Sequence, residues 1–177
     1  MLIPILVTFA SIIIVFVVIV ATRPAEFEIV RSATISASPA TVFEHVNHLR
    51  KWEAWSPWAK RDPQMRQQYE GPAAGVGAVH AWQGNKNVGE GRMTITESKP
   101  AERITIRLEF IKPFAATNTT VFTFVEQGGQ TVVRWSMTGR NNFMGKLFGL
   151  LMNMDKMVGG DFEKGLASMK AVAEAAK

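Results

Sequence analysis

Arg103-Ile104-Thr105-Ile106-Arg107-Leu108-Glu109-Phe110 alternates strictly between polar and apolar side chains. Successive side chains of a strand point to opposite faces, so Ile104, Ile106, Leu108 and Phe110 share one dry face and the charged residues share a wet one. A half-buried sheet follows from this stretch alone. Outward from it, Gly and Pro punctuate further alternating runs at 76–83, 88–97, 119–126 and 131–139, with the quoted strand extending over 102–112. Gln127-Gly128-Gly129-Gln130 joins two of these runs at hairpin length, which makes the sheet at least partly antiparallel.

Upstream, Phe27, Ile29, Ala33 and Ile35 recur at every second position, and Arg31 interrupts their apolar face. Ser38-Pro39 then supplies an N-cap followed by proline at the first helical position. Val42, Phe43, Val46 and Leu49 fall on one face of the short helix that this start predicts. Downstream lies the apolar segment 143–158, which holds four of the nine methionines and reads either as ordinary core or as a pliable wall over an apolar cavity. After Gly159-Gly160 comes a helix whose Phe162, Leu166, Met169 and Ala173 form a stripe. A strand, short helices, many antiparallel strands and a long C-terminal helix together predict an α+β fold with the helices on one face.

Residues 1–22 are of another kind. They carry no charged side chain, and 18 of the 22 are hydrophobic; the exceptions are Pro4, Thr8, Ser11 and Thr22. As a helix the stretch is about 33 Å long, enough to cross a hydrocarbon core of about 30 Å. No Lys or Arg precedes it, it is long for the apolar region of a signal peptide, and Ala21-Thr22-Arg23 is a poor cleavage site. The reading is therefore an uncleaved, single-pass anchor over residues 1–22 and one domain over 23–177. Arg23 and Arg31 follow the span, which leans the domain toward the cytoplasmic side.

The whole chain carries 20 Lys+Arg against 15 Asp+Glu and no Cys, so disulfide frameworks, Cys-zinc sites and thiol catalysis are all excluded. The formal charge of +5 belongs entirely to the residues after the anchor and suits an anionic membrane surface; nucleic acid is not expected as a partner. The glycine-rich run from Gly84 to Gly91 lacks the Gly-Lys-Ser/Thr ending of a phosphate loop and reads as a turn. Gly75-Val76-Gly77 precedes a strand rather than opening a helix, the wrong context for a dinucleotide site. No catalytic motif is present, and no cofactor is called for. His45, His48 and His80 lack the supporting pattern of a metal site, so no metal is expected. Asp155, Asp161 and Glu163 fit a helix start, where acidic side chains complement the dipole. Asn118-Thr119-Thr120 matches a glycosylation acceptor by pattern alone. Trp52, Trp55 and Trp58, flanked by Arg50, Lys51, Lys60 and Arg61, read either as indoles covering the end of the sheet or as a membrane-surface contact.

Several segments together resemble one superfamily: Ala37-Ser38-Pro39, Trp52-Glu53-Ala54-Trp55-Ser56-Pro57-Trp58, Tyr69-Glu70-Gly71, Gly75-Val76-Gly77, Trp82-Gln83-Gly84-Asn85, Val88-Gly89-Glu90-Gly91 and Asp161-Phe162-Glu163-Lys164-Gly165-Leu166. They are similar to the SRPBCC superfamily, the START/Bet v1-like, polyketide cyclase/dehydrase and lipid transport group, and to its membrane-anchored bacterial members. The resemblance spans residues 26–177. It implies a helix-grip fold, a strongly curved antiparallel sheet around a long C-terminal helix with an apolar cavity between them. It also implies residence in a bacterial inner membrane. Members bind hydrophobic small molecules, a minority perform chemistry in the cavity, and no shared catalytic set carries over.

Strand parity and that architecture together give Trp82, Met93, Ile106, Phe110, Phe122, Trp135, Met157, Phe162 and Leu166 as candidate cavity lining, with Arg31, His80 and Arg92 as candidate polar groups within it. The expected function is a membrane-tethered binding or transport module for a lipid or quinone-like molecule. A cyclase/dehydrase- or hydrolase-type enzyme using the same cavity and a protein-interaction module are the alternatives. Oligomeric state is not addressed by the sequence.

Overall fold

A computed structural model describes residues 2–175; the first residue of the expected anchor and the last two of the expected domain lie outside the described residues. The chain runs α1 (Leu2–Ala21), β1 (Glu26–Ile35), α2 (Pro39–Asn47), a 3-10 turn (Leu49–Lys51), α3 (Trp52–Trp55), β2 (Arg66–Glu70), β3 (Val79–Gln83), β4 (Glu90–Lys99), β5 (Arg103–Lys112), β6 (Ala116–Gln127), β7 (Gln130–Arg140), α4 (Phe143–Leu151) and α5 (Met154–Ala175). The seven strands form one curved antiparallel sheet in the order β1-β7-β6-β5-β4-β3-β2, with α5 against its inner face. This is the helix-grip fold.

Local chemistry explains the elements. The Ser38 hydroxyl accepts the Thr41 amide at 3.2 Å, and Val42, Phe43 and Val46 are buried as the helical spacing requires. The hairpin between β6 and β7 turns on Gly128 and Gly129, both at positive φ, the conformation a tight two-residue connection needs. Pairing of Arg103 with Thr123 through Phe110 with Ala116 sets β6 against β5. Phe122 with Trp135 lies in the register between β6 and β7.

The core lies under the closed end of the sheet. Ile104, Phe122, Trp135 and Leu166 are essentially inaccessible there, and each such side chain contributes roughly 1.5–3 kcal/mol by leaving water. The Trp135 ring stacks on Phe162 at 4.0 Å between centroids, and Phe122 stacks on its other neighbour side at 4.8 Å.

The structure departs from the sequence expectations at three places. Gly159-Gly160 does not separate two helices: α5 runs through it, and the break falls at Asn153, whose side chain caps the Lys156 amide. Glycine at 159 serves a close approach instead, because a Cβ there would collide with the Arg31 guanidinium. The edge strand β2, of sequence Arg-Gln-Gln-Tyr-Glu, has no apolar alternation to reveal it. Asp161 and Glu163 lie well inside α5 and form ion pairs with Arg61 and Arg31 rather than marking a helix start. Of the two readings of the tryptophan cluster, the interior one holds for Trp52 and Trp55, which are core residues, and the membrane-surface reading is corrected for both. Their indole N–H groups donate to the carbonyls of Val46 and His45, each at 3.0 Å, which leaves them neither exposed nor in need of an interfacial partner. Trp58 is half-buried, edge-on to Trp135 and Phe162.

Candidate functional site

Between the open half of the sheet and α5 lies a cavity of about 920 Å³, within the range that holds a drug-sized or larger apolar molecule. Register alone places its floor. Trp82, Gly91, Phe110 and Ala116 stand in one row across β3 to β6. Tyr69, His80, Met93, Leu108 and Asn118 stand in the next, and Ile95, Ile106, Thr120 and Met137 in a third. Adjacent strands are about 4.8 Å apart, so His80 and Asn118, three strands from one another, face the same space from opposite sides roughly 14 Å apart. Glycine at 91 is what lets the Trp82 indole lie flat over β4: a Cβ at that position would stand 2.5 Å from a ring carbon.

The wall opposite the sheet comes from α4 and the first turns of α5. Met144, Phe148, Met152, Met154, Met157 and Val158 line the cavity, and Phe148 meets Phe114 of the β5–β6 turn at 5.4 Å. Of the two readings of segment 143–158, the pliable wall is the one the structure adopts. The turn itself contains a cis Lys112–Pro113 bond.

Most of the expected lining residues meet here: Trp82, Met93, Ile106, Phe110, Trp135, Met157 and Phe162 all border the cavity. Phe122 and Leu166 do not. They share the inward parity but sit under the closed end, where Trp135 fills the space above them. Among the polar candidates only His80 borders the cavity. Arg31 is on the inner face but is spent on α5, donating to Glu163 Oε1 at 2.6 Å and to Asp155 Oδ2 at 3.0 Å. Those contacts raise its pKa, with the Asp155 hydrogen bond first and Glu163 second, and hold the Asp155 carboxyl below its usual range. Arg92 has the opposite parity to Met93 and points to the outer face, 3.8 Å from Glu70.

His80 is buried, and its ring stacks on Tyr69 at 4.6 Å with an interplanar angle of 9°. Burial pushes its pKa from 6.5 down to about 4 against a weaker opposing pull from Glu53, so the imidazole is neutral at physiological pH. Burial, followed by its hydrogen bond to Glu53, raises the Tyr69 phenol. Both His80 nitrogens, Thr120 Oγ1 and Trp135 Nε1 have no hydrogen-bond partner among the described residues. The site is thus a chamber with mainly apolar walls, neutral polar groups at His80, Asn118 and Thr120, and charged side chains such as Glu53, Lys86 and Lys156 also bordering it, suited to holding an apolar molecule and orienting an oxygen or hydroxyl on it. Sequence reasoning missed Asn118 and Thr120 because they are polar, although parity with Phe122 put them on the inner face. It missed Tyr69 because β2 itself was invisible. Buried at Asn118, the glycosylation pattern has no exposed acceptor.

The family profile described as polyketide cyclase / dehydrase and lipid transport matches residues 26–174. No curated protein sequence matches the chain. Among solved structures, the di-domain aromatase/cyclase StfQ from the steffimycin biosynthetic pathway superposes with a TM-score of 0.64 at 13% identity, covering 86% of this chain and 52% of that one. The Aha1 dimer from Colwellia psychrerythraea gives 0.58 at 17% identity over 85% and 98% of the two chains. Protein CV1439 from Chromobacterium violaceum gives 0.61 at 14% identity over 83% and 96%. At such identities these likenesses establish the fold.

Proposed function

Since the chain belongs to the polyketide cyclase/dehydrase and lipid transport family, within the SRPBCC superfamily, we propose that it is a membrane-tethered module that binds or carries a hydrophobic small molecule, lipid or quinone-like, in the cavity between the sheet and α5. The observation that carries this reading is the cavity itself: about 920 Å³, walled mainly by Met, Phe and Trp side chains, with a neutral His80 on its floor and charged side chains among the other residues that border it. An apolar ligand gains by leaving water against these walls. Of the three groups on which an enzymatic reading leaned, Arg31 is held by α5 and Arg92 faces outward, which leaves His80, on which Glu53 is the charged group that acts.

The tether is α1, in which the helix from Ile3 to Ala21 is long and apolar enough to cross a membrane. Arg23 beyond it favours a domain on the cytoplasmic side. Two measurements test the proposal. Native mass spectrometry of residues 24–177 is expected to show a co-purifying apolar molecule at one per chain, and a protein that is always empty contradicts the binding role. The intact mass of the full chain purified from membranes is expected to include residues 1–22; loss of that stretch contradicts the tether and identifies it as a signal sequence.

A further inference from the structure

The end of α1 packs against α4, one wall of the cavity. Val20, in the last turn of α1, is fully buried. Lys146 of α4 donates from Nζ to the Ala21 carbonyl at 2.8 Å. The Asn141 amide, just before α4, donates to the Ala25 carbonyl at 2.7 Å. Only residues 22–25 separate α1 from β1, a reach of at most about 14 Å, so the domain has no slack with which to swing away.

Where α1 crosses a bilayer, the Ala21 carbonyl marks the edge of the hydrocarbon, and α4 lies against that edge. The side chains that α4 and its surroundings expose are not those of a water-facing surface. Phe143, Met144, Met152 and Met154 are about two-fifths exposed, and Phe114 on the β5–β6 turn is about half exposed. This is a contiguous apolar rim around the opening, of the kind that marks an interaction surface. The charges bordering the same cavity are mostly cationic: Lys86, Arg140, Lys156 and Lys164 border it along with Glu53, while Lys112 pairs with Glu90 at 2.8 Å and Arg61 with Asp161 at 2.6 Å. Apolar side chains ringed by cations fit an anionic lipid interface.

We propose that the rim formed by α4 and the β5–β6 turn is seated in the anionic headgroup layer of the membrane that α1 crosses, so that the cavity opens onto the leaflet and its ligand enters sideways from the lipid without passing through water. This rests on the reading of α1 as the anchor. The ligand path it defines runs past Phe114 and Phe148, whose rings touch at 5.4 Å between centroids with a tilt of 48°. Flexible methionines on one side of that path give the opening room to adjust.

The chain has no cysteine, so a single introduced thiol reports on one position only. Met144→Cys and Phe114→Cys place a label on the rim, Val125→Cys places one on the distant and exposed end of β6, and Ile12→Cys places one midway along α1. The full chain carrying an environment-sensitive fluorophore at each site is reconstituted in phosphatidylglycerol/phosphatidylcholine vesicles, with and without phospholipid bearing a nitroxide quencher on the upper acyl chain. Native tryptophan emission verifies that each variant is folded. At least a twofold loss of emission is expected at 144 and 114, none at 125, and a loss at 12 with a deeper nitroxide. Unquenched labels at 144 and 114 together with a quenched label at 12 overturn the seated rim while leaving the anchor intact. An unquenched label at 12 overturns both. A blue shift at 144 and 114 without lipid quenching means that protein covers the rim, and that result also overturns the proposal.

Discussion

Lowering the pH from 7 to 4 should weaken the fold through His80 in a way that one substitution isolates. In the unfolded chain this imidazole takes up a proton below pH 6.5, whereas in the folded protein burial delays protonation to about pH 4. The native state therefore loses stability as pH falls through that window and levels off below it. Each tenfold difference in proton affinity corresponds to about 1.36 kcal/mol. With some allowance for water reaching the cavity side of the ring, the loss amounts to about 2–3 kcal/mol. The perturbation is His80→Gln, which keeps a polar side chain at the site but cannot titrate. Burial also lowers the His45 pKa, and the Glu97 and Asp155 carboxyls are held low by hydrogen bonds to Thr105 and Arg31; these contributions are common to both proteins and cancel in the difference. Urea unfolding of the full chain in lipid nanodiscs, followed through the buried Trp52, Trp55 and Trp135, gives the stability of each protein at each pH. The stability advantage of wild type over the variant should shrink by the stated amount between pH 7 and pH 4. A difference that stays constant would show that His80 titrates as it does in water, and the account of a dry, neutral chamber would fail with it.

Further outcomes follow from the packing. Phe122→Ala removes a ring from under Trp135 and should cost about 3–5 kcal/mol in urea unfolding, while ligand bound per folded chain stays unchanged because Phe122 does not border the cavity. Gly159→Val places carbon where the Arg31 guanidinium now lies, and overpacking of this kind costs about 1–3 kcal/mol. NMR titration of that variant should find the Asp155 carboxyl back in the ordinary carboxylate range; a carboxyl still held low would mean that Arg31 had kept its partner.

Where a periodic pattern coincided with burial, the sequence could be read directly. The alternation around Ile104 to Phe110, the Ser38-Pro39 helix start and the two-glycine hairpin each became the element they implied, because in each case local preference and the core demand the same conformation. The cavity floor was half visible for the same reason. Parity identifies the face a residue is on, but not whether that face meets a void or another side chain, so Phe122 and Leu166 looked the same as Ile106. Only the tertiary position of Trp135 separates core from cavity. Arg31 illustrates a second limit: a charge on an apolar face announces a partner, yet Asp155 and Glu163 lie more than 120 residues away in the chain. The Trp52-to-Trp58 segment leaves interior and surface readings open in the sequence, because its flanking charges are exposed while two of its indoles turn inward to backbone carbonyls that no sequence pattern identifies. Polar residues in the lining, Asn118 and Thr120, were passed over since an apolar search discards them.

The central claim is that the chamber holds an apolar molecule, and Met93→Trp tests it most directly. Met93 stands in the middle of the cavity floor, flanked in register by His80 and Leu108, and an indole there takes up ligand space while leaving the core beneath Trp135 untouched. Wild type and variant, purified side by side and extracted with organic solvent, are compared by mass spectrometry for bound small molecules per folded chain. The account predicts one apolar compound in near-stoichiometric amount from wild type and its loss, tenfold or more, from the variant. Equal recovery from both would place the ligand outside the cavity and contradict the claim.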